Sequence, residues 1–557
     1  MGEGLLPEHD VLIVGGGFAG LRAALSAKEN GADVAVVSKV HPMRSHSSGS
    51  HSGINAALKS DDSWEAHALD TVISGAYLCD QDAVEVLCRE GIDDVIALEH
   101  MGVIFTRDRD GRIDVMSFPG TSRPRTCFVG DSAGHIIAQV LYEQIIKLQI
   151  PTYDEWFVSA LLVEDGACRG VIARELKSGS LYPIRAKAVV LATGNLGRMY
   201  SPSTCSLTGT ADGVALAYRA GVPLMDMEMM QYHPTTLRNR GILITEAARG
   251  NGAYLVNKDG DRFMNLYAPE GMEMVTRDVC SRAIATEIQQ GRGIDGCVYL
   301  DMRHMDKKLL SDKLRETLWL LKDLEGIDPA EELVPVRPAM HRPIGGIQVD
   351  IWGSTALDGL YAAGECASGG VNGANRLGGN SLLECVVFGR RTGEAAARYA
   401  ASAMDTTLSD ALVSDEIRRI DEVFSKEKGQ ESLGALRREL GCVMDQKVGI
   451  QREQSSLEEA AETIANLKNR HANLGVQRMD LAYNMGIMLM TELGFMLDVA
   501  EISVTCALAR EESRGCHYRS DFPQRRDAEW LKHSVVISTA EGPQLDYKPV
   551  VITQWQP

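Results

Sequence analysis

Asp10-Val-Leu-Ile-Val-Gly-Gly-Gly-Phe-Ala-Gly20 decides the fold of this chain. The apolar run Val11 to Val14 ends in glycines at 15, 17 and 20, and a small-residue helix pattern continues from Leu21 to Ala27. Strand, tight turn and helix in that order form a dinucleotide-binding start. Gly15 makes the turn, Gly17 lets the backbone approach a pyrophosphate, and Gly20 lets helix and strand pack closely, with the phosphates over the helix N-terminus. A second strand is expected at Asp33 to Ser38. The turn by itself leaves NAD and FAD both open. The acid that usually takes the ribose hydroxyls lies about 20 residues on. Here that place is Ser38, so a hydroxyl does that work or the acid lies elsewhere.

At 557 residues the chain is too long for one core and should divide into several domains. Its 45% hydrophobic and 24% charged residues are ordinary for a globular protein. A formal charge of -19 argues against a nucleic-acid partner, although a local cationic pocket can sit inside an acidic protein. The 12 cysteines are spread singly with no C-x-x-C pair, so neither a zinc site nor an iron–sulfur cluster is signalled, and a reducing compartment is expected. Met1 to His9 is too short and polar for a signal peptide. No apolar run approaches the roughly 18 residues of a spanning helix.

Beyond the second strand, Lys39 to Asn55 is a Ser-, Gly- and His-rich loop, followed by helices at about 63–77 and 81–101 and another at about 132–148. Short β-rich runs with turns at Asp165-Gly166 and Ser178-Gly179 suggest a hairpin-like insert ending in Ala188-Val-Val-Leu-Ala-Thr-Gly194. Asp212-Gly213 opens a further helix. From about Leu237 to Val349 the character changes to mixed short elements, and the glycine-punctuated pattern resumes at Gly359-Leu-Tyr-Ala-Ala-Gly-Glu365. The expected fold is therefore α/β, with a discontinuous Rossmann-like dinucleotide-binding domain (1–237 and 351–406) and an inserted α+β domain (238–350). A helical domain (407–520) and a small C-terminal module (521–557) follow.

Met230-Gln-Tyr-His-Pro-Thr-Thr236 and Gly373-Ala-Asn-Arg-Leu-Gly-Gly-Asn-Ser-Leu-Leu-Glu384 resemble one family closely, the flavoprotein subunit of succinate dehydrogenase and fumarate reductase. The likeness extends from Val11 to the end, including Glu512-Ser-Arg-Gly-Cys-His-Tyr518 and Asp527-Ala-Glu-Trp-Leu-Lys-His533. It implies that 1–237 and 351–406 form an FAD-binding domain, that 238–350 is a capping domain closing over the cofactor, and that the activity is the interconversion of succinate and fumarate. It also implies a partner iron–sulfur subunit, membrane anchor subunits with a quinone, and a peripheral place on the cytoplasmic face of the membrane. No resident metal is expected in this chain.

A four-carbon dicarboxylate needs cationic or polar donors at both ends, and His233, Thr245, His341 and Arg376 match the family's carboxylate-binding positions. Arg376 can clamp a carboxylate bidentately, which a lysine could not. Phe118 resembles the aromatic wall against the substrate. The match places the acid/base at Arg277, reloaded through Glu246 and Arg249, which lie three residues apart on one helical face. For the flavin, the resemblance implies Gly15, Gly17, Gly20, Ser38, Lys39, Gly53, Thr193, Gly194, Asp212, Glu365, Ser381 and Leu382. Arg44-Ser-His46 matches the covalent attachment site, with His46 bonded to the flavin 8α-methyl.

The chain departs from the family's pattern at several places. His51 stands where Gln or Glu is usual, Ser47 to Ser50 differs from the common type, Asn251 replaces a Glu, and Arg342-Pro343 follows His341 in place of an aromatic and a small residue. L-aspartate oxidase, a soluble relative with the same fold, is the nearest alternative. Leu377-Gly-Gly-Asn380 and Arg44-Ser-His46 favour the respiratory branch.

Overall fold

The computed structural model describes residues 6–50, 53–238, 241–403, 410–425, 431–475 and 480–557. His51 and the expected division at 406/407 lie outside the described residues. The largest sheet runs, in spatial order, Thr152–Asp154, Val34–Ser38, His9–Val14, Leu181–Leu191, Ala167–Glu175 and Trp156–Glu164, with Leu360–Ala362 also paired to Leu181–Leu191. His9–Val14 is parallel to both of its neighbours. Val11 to Val14 are all buried because the sheet is covered on both faces, which is why this run is apolar without alternation.

Leu181–Leu191 changes partners along its length. Its start pairs antiparallel with Ala167–Glu175, and its end pairs parallel with His9–Val14 and Leu360–Ala362. The expected hairpin-like insert is thus an antiparallel extension of the same sheet, and Leu360–Ala362 completes the parallel part after the chain has returned from the cap. On one face the helices Phe18–Glu29, Gln81–Met101, Ala133–Lys147 and Asn380–Ser402 share a core. On the other face Asp212–Arg219 packs with Leu433–Lys447, Gln454–Ala472 and Met485–Ala509.

The cap is an antiparallel sheet of Met230–Leu237, Val334–Pro343, Val298–Asp301 and Tyr254–Val256, with Arg277–Gln289 packed on its own apolar core. Met230–Leu237 leads into this sheet and pairs with Val334–Pro343. The hairpin Lys532–Thr539 and Gly542–Pro549 forms the edge of a five-stranded sheet, in which Lys532–Thr539 pairs with Leu224–Met225. His533 locks that seam. Its Nδ1 lies 2.6 Å from Asp226 and its Nε2 3.1 Å from Asp80, all three buried.

Candidate functional site

The helix Phe18–Glu29 begins at the wall of a cavity of about 610 Å³, within the range of ligand-sized clefts. Gly15 has a φ of +118°, and a Cβ there would lie 2.2 Å from the Ala192 carbonyl oxygen. A Cβ on Gly20 would lie 1.9 Å from the carbonyl of Gly15. Side chains are excluded from this turn, so a ligand can approach bare backbone at the helix N-terminus. Lys39 donates to Thr210 Oγ1, Asp212 Oδ2 and Glu492 Oε1, each at 2.7 Å. Glu492 comes from Met485–Ala509, so the helical part reaches this end of the cavity. Two carboxylates, those of Asp212 and Glu492, thus lie next to the Ser38 position, both tied to Lys39. A side-chain-free turn, a helix N-terminus and these carboxylates fit a dinucleotide cofactor.

Cationic and imidazole side chains converge at the opposite end. Arg277 Nη2 donates to Glu246 Oε2 at 2.6 Å, and Arg249 Nη2 donates to Glu246 Oε1 at 2.8 Å. All three are buried. Burial opposes ionisation of Glu246, but Arg277 and Arg249 outweigh it and hold its carboxyl well below the usual range. Burial, then the charge of Arg277, pushes His233 and His341 well below the ordinary histidine value, so both are neutral. Arg376 is depressed by burial and then by Arg277 and Arg342. An arginine does not deprotonate in practice, so this shift reports an unmatched positive potential, which an anionic ligand would relieve. The Nε atoms of Arg277 and Arg376 are buried without partners among the described residues.

Arg376 Nη2 approaches His341 Nε2 at 3.3 Å. Arginine can only donate, so Nε2 accepts and Nδ1 carries the proton, donated to Thr204 Oγ1 at 2.8 Å. His233 Nδ1 is taken up by Thr235, which leaves its Nε2 for the cavity. Phe118 is buried beside Gly378, whose added Cβ would meet the ring at 3.0 Å. His46 Nδ1 accepts from the Ser206 amide at 3.3 Å, and its Nε2 has no hydrogen bond among the described residues.

The expected residues Gly15, Gly17, Ser38, Lys39, His46, Phe118, Thr193, Gly194, Asp212, His233, Thr245, Glu246, Arg277, His341, Glu365, Arg376, Ser381 and Leu382 all line this one cavity. Gly20, Gly53 and Arg249 do not. Gly20 backs the turn, Gly53 is held tight against the Cys127 carbonyl, and Arg249 stands behind Glu246. Of the departures, Ser47 Oγ accepts from the Phe18 amide at 3.2 Å, and Asn251 Nδ2 donates to the Ala247 carbonyl at 2.7 Å. Arg342 is buried, bonded to Ser381 and Glu384 and 3.4 Å from Glu365.

Several residues of the site escaped the sequence reading. Gln231 Oε1 accepts from Arg277 Nη1 at 3.1 Å, while its Nε2 donates to Asn375 and to the Arg376 carbonyl, both at 2.8 Å. It therefore links Arg277 to Arg376. Asn195 donates to Glu365 at 3.1 Å, and Thr204 and Ser206 hold the two histidines as described. Gln231 sits two residues before His233, on the same side of a strand. That spacing was the available signal.

The family model described as FAD binding domain matches residues 10–382, and that described as fumarate reductase flavoprotein C-term matches residues 437–557. The fumarate reductase flavoprotein subunit of Mycobacterium tuberculosis is 43% identical, over 99% of this chain and 98% of its own length. The succinate dehydrogenase flavoprotein subunit of Rickettsia bellii is 40% identical, over 98% of this chain and 96% of its own. Among solved structures, a mutated FrdA of E. coli quinol fumarate reductase superposes with a TM-score of 0.97 at 38% identity, covering 100% of this chain and 98% of that one. Likeness of this extent, on a chain whose cavity fits a dinucleotide, makes it an FAD-binding oxidoreductase that belongs to the fumarate reductase and succinate dehydrogenase flavoprotein subunit family.

Proposed function

We propose that this chain interconverts succinate and fumarate on FAD, with Arg277 as the group that gives or takes the proton. The observation that carries the reading is the buried chain Arg277, Glu246, Arg249, facing Arg376 across a cavity rich in unmatched positive charge. FAD, when bound, supplies hydride exchange at its N5. Arg376, with His341, His233 and Thr245, binds the two carboxylates and holds the dicarboxylate against Phe118. In fumarate reduction Arg277 protonates one olefinic carbon as the other receives hydride, and Glu246 with Arg249 returns a proton to the guanidine. Succinate oxidation is the reverse. Charge that develops on the substrate carboxylates meets guanidinium groups already in place, with no reorganisation required.

In this reading 238–350 is the cap, and it brings Thr245, Glu246, Arg277 and His341 down onto the cofactor held by 1–237 and 351–406. The helical part 407–520 and the module 521–557 support them from the side. His46 is the attachment residue for the flavin 8α-methyl, supported by its place on the cavity wall and by an Nε2 with no hydrogen bond among the described residues. Electrons leave through a separate iron–sulfur subunit and a membrane anchor with quinone, a reading supported by the scattered cysteines of this chain and by the quinol fumarate reductase likeness. No helix among the described residues is long and apolar enough to cross a membrane. We place the chain peripherally, on the cytoplasmic face, through those partners.

Dye reduction with succinate and reoxidation of a reduced dye with fumarate test the reaction, with L-aspartate as the control. Activity with both four-carbon dicarboxylates is expected. Oxidation of aspartate alone would assign the chain to the L-aspartate oxidase branch instead. Purification in mild detergent with identification of co-purifying subunits tests the electron path.

A further inference from the structure

We infer that Arg452, Tyr200 and Tyr232 enclose a binding site for a small monovalent inorganic anion of the chloride class, set where the helical part meets the capping sheet. Arg452 is 1% exposed, yet every hydrogen bond of its guanidinium goes to a neutral acceptor. Nε donates to the Gly449 carbonyl at 2.9 Å, and Nη1 donates to the Glu228 carbonyl and to His517 Nδ1, both at 2.8 Å. Burial, then Arg452 itself, holds His517 neutral. The Glu228 carboxylate is turned to Arg510, 2.6 Å away. Arg452 Nη2 has no partner among the described residues. A buried cation in that state is costly unless a counter-charge is present.

Two further buried hydroxyls in the same neighbourhood lack partners among the described residues, those of Tyr200 and Tyr232, whose rings meet edge to face with centroids 6.1 Å apart. The Tyr232 hydroxyl reaches the turn that holds Arg452, since a Cβ on Gly449 would lie 3.5 Å from it. The charge of Arg452 acts on both phenols, ahead of that of Asp445 at Tyr200 and behind it at Tyr232. Asp445, a carboxylate nearby, is 3.3 Å from Arg337, and burial outweighs that partner and pushes it up to about 6. One guanidinium N–H group and two phenolic O–H groups therefore offer donors around a cation whose own hydrogen bonds all go to neutral atoms. Water could satisfy the hydrogen bonds but not the charge. Tyr200 follows the turn Gly197–Met199, Tyr232 lies in Met230–Leu237, and Arg452 joins Leu433–Lys447 to Gln454–Ala472, so an anion here would tie three separate segments together.

Crystals of the FAD-loaded protein grown in bromide test this directly. An anomalous peak between Arg452 Nη2 and the two phenols is expected, and water density without that peak overturns the inference. In solution, chloride should raise the melting temperature relative to gluconate at equal ionic strength, because a ligand of the native state stabilises it. That increment should shrink in Tyr200→Phe, with turnover unchanged, and vanish in Arg452→Met. Should Arg452→Met fail to fold, Tyr200→Phe carries the comparison. Equal melting temperatures of the unaltered protein in the two salts also overturn the site.

Discussion

Glu246 Oε2 accepts from Arg277 Nη2 at 2.6 Å inside the protein, while its other oxygen is held by Arg249 at 2.8 Å. A carboxylate bridging two guanidinium groups can keep the first charged and pass it a proton from the second.

Replacing Arg277 by Ala or Lys should lower kcat by at least about 10³-fold in both directions, since lysine reproduces neither the reach nor the fork of the guanidinium. Glu246→Gln keeps the shape but cannot carry the proton, and should cost about 10²-fold. Flavin absorbance of the purified variants should match that of the unaltered protein, which separates lost chemistry from lost cofactor. Full turnover by Arg277→Ala would remove it from the reaction.

His46→Ser tests the flavin linkage. Acid-precipitated unaltered protein should give a yellow pellet that fluoresces under ultraviolet light, and the variant a colourless one. Succinate oxidation should fall more than fumarate reduction, because loss of the 8α bond lowers the flavin potential. A colourless pellet from the unaltered protein would withdraw His46 from the site.

At Gly20 there is no room for even one methyl group, since its Cβ would lie 1.9 Å from the Gly15 carbonyl oxygen. Gly20→Ala should push the helix Phe18–Glu29 off the turn, at a cost of about 1–3 kcal/mol for overpacking. Reduced FAD content and a lower denaturant midpoint are the measurements. Unchanged FAD retention would show that the turn tolerates the shift.

The seam at His533 predicts a pH dependence of stability. Burial disfavours the imidazolium, but Asp226 and Asp80 outweigh it and raise the pKa from 6.5 to about 9. A group whose pKa is raised on folding contributes fully below its unfolded value and loses that contribution as the pH rises through the folded value. The protein should therefore lose about 3 kcal/mol between pH 6.5 and about 9. In His533→Gln this window should flatten in urea titrations across that range, with lower stability at its acid end. An unchanged slope would mean that another group sets it.

Gly15 to Gly17 and the helix Gln81–Met101 were legible because each is fixed by local chemistry: a turn without side chains, and an apolar stripe that stops at Gly102. The catalytic candidates were legible only through motif likeness. Met230–Leu237 is buried at every position, so burial alone does not separate His233, on the cavity wall, from Tyr232, which is turned away from it. Lys39 could be placed at the adenosine end but not paired. Its partners Asp212 and Glu492 lie far along the chain, and no short-range pattern encodes a meeting of that kind. Arg342 looked like an interruption of the motif, and only the fold brings Glu365 and Glu384 to it.

The pairing of Leu224 with Val536 also orders events during synthesis. When the ribosome has delivered the cap and the first half of the cofactor cavity, the strand Leu224–Met225 still lacks its neighbour on one side. That strand must wait, with an open hydrogen-bonding edge, until 532–549 emerges. An open edge of this kind recruits other chains. The nascent protein is therefore most prone to aggregate in the interval between translating the cap and translating His533, and a chaperone or early cofactor capture would do most good there.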